Sequence, residues 1–240
     1  MSIDIAKSLN TEIISTDSCQ IYKGMDIGTG KITQEEMQRV PHHMIDIINP
    51  DEKYSVWAFK KEAETIMKKL WRENKIPMLV GGTGLYIDSL IFDMNLANSS
   101  TSAELRKELD WFSTEKLYQN LQEIDPEYAQ EIHPHNRPYI ERWIEVKTLT
   151  GKSKREFREE KKLKYDTLFL TPKWPKVQEE TYRQWLYERI NIRVEQMFQE
   201  GLEQEVKNLV TAGYWENNEG MKAIGYREFF PYFSWEINRE

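Results

Sequence analysis

A carboxylate, a hydroxyl, a thiol and an amide stand side by side at Asp17, Ser18, Cys19 and Gln20. They follow residues 12–16 (EIIST), a short apolar run that reads as a strand. In open α/β sheets, ligands bind beyond the carboxyl ends of strands. Placed there, the Asp can accept a proton while the hydroxyl and amide hold a substrate. Asp and Ser also cap turns through their own backbone, so residue type alone fits both roles. A second group, Gly81-Gly82-Thr83-Gly84, follows the strand-like residues 76–80 (IPMLV) and opens a helix near Leu85. Glycines there let backbone N–H groups approach an anion, and the helix N-terminus favours negative charge. The Thr hydroxyl adds a donor, so a phosphate or diphosphate is the ligand such a turn suits. The same turn also serves tight packing. Arg189 and Arg193 lie one helical turn apart. Two cations on one face suit a diphosphate, while the neighbouring Glu188 and Glu195 equally suit a surface of ion pairs. His42 and His43 are adjacent on an extended segment and point to opposite faces. No CxxC or HExxH spacing occurs, so no metal site is expected from the spacing. Cys19 has no evident His partner and is not read as a nucleophile.

The elements around these groups alternate strand, glycine loop and helix, the pattern of a parallel α/β sheet. Residues 2–9 read as a helix without a capping side chain. His42 opens an apolar run, 42–48, closed by Asn49-Pro50. Residues 55–74 read as a helix with Trp57, Ile66, Met67, Leu70 and Trp71 on its apolar side. From 94 to 164 only helices and loops are expected. Residues 165–171 (YDTLFLT) read as a returning strand, and 179–200 and 202–211 as helices. The chain therefore divides into a core at 1–93, a helical insertion at 94–164 and a second core part at 165–240. Within 137–164, ten Lys/Arg face five Glu, a net of +5 in a chain of net charge −7. Such a block fits a phosphate-backbone footprint or a solvated face of ion pairs.

With 39% hydrophobic and 30% charged residues in 240, the chain is a globular and hydrophilic protein. No apolar run approaches the ~18 residues of a membrane span, and the N-terminus lacks the apolar core of a signal peptide. One Cys points to a reducing compartment, read as the cytoplasm. Eight Trp accompany only 11 Gly, whereas average usage of about 7% would give roughly 17 Gly. The reading is that several Trp, among them Trp57, Trp143, Trp215 and Trp235, stand at UGA codons that the organism decodes as Gly.

Six segments in order carry a resemblance: IISTDSCQIYKGMDIGTGK, VPHHMIDIINPDEKYSV, IPMLVGGTGLYI, LYERINIRVEQM, EGLEQEV and KAIGYREF. Together they span nearly the whole chain, which resembles the tRNA dimethylallyltransferases. The resemblance implies a P-loop-type parallel α/β core with a helical insertion that grips the anticodon stem-loop of tRNA. It implies transfer of a dimethylallyl group from dimethylallyl diphosphate to N6 of the adenosine beside the anticodon, a base flipped out to expose its amine. On this resemblance Asp17 is the general base, and Ser18, Cys19 and Gln20 fall in the tRNA-contact stretch with it. Thr83 contacts the reacting centre and the diphosphate, Arg193 neutralises the leaving diphosphate, and Arg189 precedes it by a turn. Arg106, Arg137 and Arg142 are the insertion's tRNA-contact arginines. A monomer with a nucleotide- or ATP-type phosphate site and Mg²⁺ is also implied.

Two departures accompany it. The 240 residues contain no GxxxxGK[ST], the loop whose backbone, Lys and hydroxyl hold phosphate and Mg²⁺. The expectation is that this loop lies ahead of Met1, that further helices follow Glu240, and that the 240 residues alone transfer nothing. The insertion's usual Asn-Asp and Arg-rich run is here His135-Asn136-Arg137-Pro138-Tyr139. Two rival expectations are a catalytically dead tRNA-binding remnant and a P-loop nucleotide kinase. The kinase leaves DSCQIY and KAIGYRE without a role.

Overall fold

The structure is a computed structural model that describes residues 1–92, 102–153, 156, 162–171 and 179–237. Three short strands form a parallel sheet in the order β2-β1-β3: β1 Ile13–Ser15, β2 His42–His43 and β3 Met78–Val80. Ile13 pairs with His42 on one side and Met78 on the other, and Ser15 with Val80. β1 is the central strand, and all three of its residues are buried. That is why it reads as a continuous apolar run rather than an alternating one.

Around the sheet stand α1 Ser2–Ser8, α2 Val56–Arg72 and α3 Gly84–Ile91. Ser55 caps α2, its hydroxyl accepting from Ala58 N at 3.1 Å, and Lys69 and Arg72 sit in the last turn, where the helix dipole favours cations. Phe59, Ala63, Met67 and Leu70 form its buried stripe. Trp57 and Trp71, expected on that stripe, are 53% and 40% exposed. The inward face is set one residue round from Trp71, at Leu70. The apolar run at 42–48 is extended for only two residues, because Met44 and Asp46 take left-handed backbone conformations.

The chain divides into two compact units. The first comprises Met1–Ile91 and Tyr165–Glu240. It adds α8 Glu179–Glu200, α9 Leu202–Thr211, a 3-10 turn at Gly220–Lys222 and α10 Phe229–Ile237. An apolar cluster joins Ile21, Tyr22 and Met25 to Leu202, Val206, Leu209, Met221, Tyr226 and the phenylalanines of α10. Residues 165–171 were expected as a strand and do not adopt strand structure, and Leu168, Phe169 and Leu170 stand exposed. A strand exists only through a neighbour's hydrogen bonds, which hydropathy does not report.

The second unit, Phe92–Lys164, is helical. It holds α4 Ala103–Asp110, α5 Thr114–Ile124, α6 Pro126–Ala129 and α7 Arg137–Thr150. Ser102, Ser113 and Asp125 cap the first three, and Gly151 closes α7 in a left-handed conformation. Leu109, Leu117, Leu121, Tyr128, Ile140 and Ile144 form its core. Phe92 and Leu163 meet in an antiparallel bridge at its ends.

None of the described tryptophans has a positive φ, so no turn at these positions demands glycine. Trp215 is 44% exposed, and Trp143 packs edge-on against Tyr128 at 5.0 Å. Trp235 falls within α10. No described helix is long and apolar enough to cross a membrane.

Candidate active site

Parallel pairing of β1 with β3 delivers two loops to one end of the sheet. Residues 17–20 leave β1 and Gly81-Gly82-Thr83-Gly84 leave β3, each at its carboxyl end. Thr16 N donates to Val80 O at 2.8 Å, and Thr83 N donates to Thr16 O at 3.1 Å. This approach explains Gly81: a Cβ there would stand 2.6 Å from the Thr16 carbonyl carbon. At Gly82 and Gly84 a Cβ would meet nothing within 4 Å. Packing therefore accounts for the first glycine of the turn and leaves the other two facing open space, where a ligand can approach the backbone.

Thr83 ties the two loops together. Its Oγ1 accepts from Ser18 N at 3.0 Å and donates to Ser18 Oγ at 3.1 Å. Asp17 Oδ1 accepts from Cys19 N at 2.8 Å and Gln20 N at 3.2 Å. Asp17 thus does cap a turn, and the cap fixes the carboxylate while, among the described residues, nothing donates to Oδ2. Capping and proton acceptance are compatible because they use different oxygens. Gln20 Nε2 donates to Gly30 O at 3.2 Å. Gly30, at φ 59°, lies against the Arg193 guanidinium, whose Nη2 would stand 2.3 Å from a Cβ placed there. Arg193 thereby reaches the loop beyond β1, one hydrogen bond from Gln20. Arg189 has a different place, its guanidinium 5.1 Å over the Trp185 ring.

A cavity of about 290 Å³ opens beside Ser18 and Cys19, walled by Tyr22, Tyr54 and Tyr86 and edged by Lys222. Burial, then the neighbouring Tyr22, Cys19 and Asp17, pushes the Tyr86 phenol up to about 12, so it stays a neutral donor. Burial and then the Asp17 charge push the Cys19 thiol up, which keeps it protonated and a poor nucleophile.

The three insertion arginines all end on protein groups of their own unit. Arg106 donates from Nε and Nη2 to the two oxygens of Glu145, at 3.0 Å each, and Arg142 pairs with the same carboxylate. Ser102 N also donates to it, at 2.8 Å. Glu145 is 1% exposed. Arg137 donates to Phe112 O at 2.7 Å and Leu109 O at 3.1 Å, and pairs with Glu141. Sequence reasoning missed Glu145. A lone Glu at a helical position gives no sign of burial, although Arg142, one helical turn before it, was visible.

Comparison with known proteins decides the family. The family model described as IPP transferase matches residues 20–240. The chain belongs to the IPP transferase family. It is 41% identical to the tRNA dimethylallyltransferase of Caldanaerobacter subterraneus, across all of this chain and 77% of that protein. It is 42% identical to that of Staphylococcus carnosus, across 99% and 75%. Among solved structures, the tRNA Δ(2)-isopentenylpyrophosphate transferase of Staphylococcus epidermidis matches with a TM-score of 0.63 at 41% identity, covering 97% of this chain and 75% of that one. A eukaryotic dimethylallyltransferase acting on tRNA matches with a TM-score of 0.79 at 28% identity, covering 99% and 60%. The family's P-loop-type core with a helical insertion is the architecture of this chain.

The family implies Mg²⁺. Among the described residues no three His, Cys, Asp or Glu side chains come together.

Proposed function

We propose that this family member transfers a dimethylallyl group from dimethylallyl diphosphate to N6 of the adenosine adjacent to the anticodon of a tRNA. The observation that carries the reading is the junction of the two loops through Thr83 and Ser18 at the carboxyl end of β1 and β3, with Asp17 on one side. The N6 lone pair forms the new C–N bond as the allylic C–O bond breaks. The electrons of that bond leave on the diphosphate. Asp17 Oδ2 takes the proton that the amine must lose. Thr83 and the open backbone of Gly82 and Gly84 face the departing oxygens, and Arg193 supplies positive charge as the diphosphate develops. Arg189, held over Trp185, adds charge one helical turn away. Ser18, Cys19 and Gln20 line the base's approach, and the tyrosine-walled cavity offers π-faces for a nucleobase. In the helical unit, Arg106 is 54% exposed despite its bond to Glu145 and can contact a phosphate. Arg137 and Arg142 belong to the same tRNA-facing unit, where their bonds to its own carbonyls and carboxylates support that surface. The partners are tRNA and dimethylallyl diphosphate, and the enzyme acts as a cytoplasmic monomer.

The test uses this chain joined to the phosphate-loop segment of a relative, incubated with dimethylallyl diphosphate and an anticodon-loop hairpin. Prenyl adenosine should appear at the position beside the anticodon. A hairpin with inosine there has no exocyclic amine and should remain unmodified. Equal modification of both hairpins contradicts the reading.

A further inference from the structure

Two of the segments that carry the resemblance, EGLEQEV and KAIGYREF, have no part in the chemistry above. The structure brings them together at one carboxylate. Glu205 of α9 accepts four hydrogen bonds. Its Oε2 takes Asp26 N at 3.0 Å and Ile27 N at 2.8 Å, and its Oε1 takes Gly28 N at 3.3 Å and the Tyr226 hydroxyl at 2.6 Å. Three successive backbone N–H groups converging on one point form an anion nest, here filled by the protein's own carboxylate. Tyr226 is fully buried, and its ring closes over Gly28, where a Cβ would stand 2.5 Å from Cε2. On the other side, Lys31 Nζ bonds Asp26, Asp46 and the Tyr22 carbonyl. The loop 26–31 is thus held by an anion on its N–H groups and a cation on its acceptors.

This loop carries Gly30, which meets both Gln20 and Arg193. Arg193 is exposed and comes from a long helix, so what fixes its guanidinium at the site is the surface it rests on. We infer that Glu205, with Tyr226, is a positioning residue: it freezes the loop 26–30 so that Gly30 sets Gln20 and Arg193 in place for the diphosphate. The inference rests on the diphosphate role given to Arg193 above.

The test measures two quantities on this chain joined to the phosphate-loop segment of a relative: amide exchange along 26–30, and affinity for inorganic pyrophosphate. In Glu205→Ala, exchange at Asp26, Ile27 and Gly28 should rise at least tenfold while the amides of β1 keep their protection. Pyrophosphate affinity should fall about tenfold. Arg193→Gln should lose as much, and the double variant should lose little more than either single one, because both changes remove the same placed cation. Losses that multiply across the two variants, or unchanged affinity with a loosened loop, overturn the inference. So does exchange that rises equally throughout the chain, which marks a merely structural role. Should Glu205→Ala not fold, Tyr226→Phe removes one of the four bonds and should move both quantities in the same direction by less. If the wild-type chain binds no pyrophosphate, the Arg193 role fails, and the loop clamp then stands or falls on the exchange pattern alone.

Discussion

At the scale of single residues, the site works by giving each group two jobs. Asp17 caps its own turn with Oδ1, which leaves Oδ2 as the oxygen proposed to take the proton. Thr83 bonds both the backbone and the hydroxyl of Ser18, so the donor proposed for the diphosphate is also the pin between the loops. Two predictions separate these jobs. Arg193→Ala should lower the rate of the chemical step at saturating RNA by a factor of about 10²–10³, the cost of losing one preorganised group facing developing charge. RNA affinity should change little. Thr83→Ser keeps the hydroxyl and should retain most of the rate, whereas Thr83→Ala loses both the donor and the pin. A loss confined to RNA affinity in either Arg193→Ala or Thr83→Ala removes the residue from the diphosphate. That Asp17, Thr83 and the glycine turn share one end of the sheet was legible in the sequence, because each follows an apolar run that forms a parallel strand. Glu205 was not. Its meaning lies in three N–H groups far away in the chain, and no local pattern encodes that meeting.

At the scale of elements, the helical unit turns on one buried acid. Burial alone would push the Glu145 carboxyl up. The Arg106 guanidinium, the Ser102 N–H and Arg142 together outweigh it and hold the carboxyl below its ordinary value. The folded pKa lies below the unfolded one, so this contribution is present above the unfolded value. It is lost as pH falls through the carboxylate range, from about 4.5 downward. Thermal unfolding of the unit followed from pH 7 to 3 should show that loss, and Glu145→Ala should flatten it. The variant removes the shared acceptor of Ser102 N and two partly exposed guanidiniums and should destabilise the unit by about 1–3 kcal/mol. A variant as stable as wild type would show the cluster to be idle. Helices were the readable elements here. Their caps at Ser55, Ser102, Ser113 and Asp125 and their apolar spacing are local, so α8 and α9 fall where periodicity puts them. Residues 165–171 were misread because an apolar run carries no information about whether a neighbouring strand is there to bond it.

At the scale of the whole molecule, a chain of net charge −7 is read as binding a polyanion. The basic surplus lies at 137–164, but Arg137 and Arg142 spend their guanidiniums on the unit's own carbonyls and carboxylates. Removing Arg142 should therefore lower stability and leave the salt dependence of hairpin binding nearly as it was. A lysine such as Lys147, substituted by Gln, should shallow the slope of log affinity against log salt by about 0.7–0.9 if it meets a phosphate. A titration of both variants over a range of salt distinguishes the two roles.

The most direct measurement is single-turnover prenyl transfer by Asp17→Ala, compared with wild type, each joined to the phosphate-loop segment and saturated with hairpin and dimethylallyl diphosphate. Loss of general-base catalysis should slow the step by roughly 10²–10⁴-fold with hairpin affinity nearly unchanged. A wild-type single-turnover rate in Asp17→Ala would contradict the site.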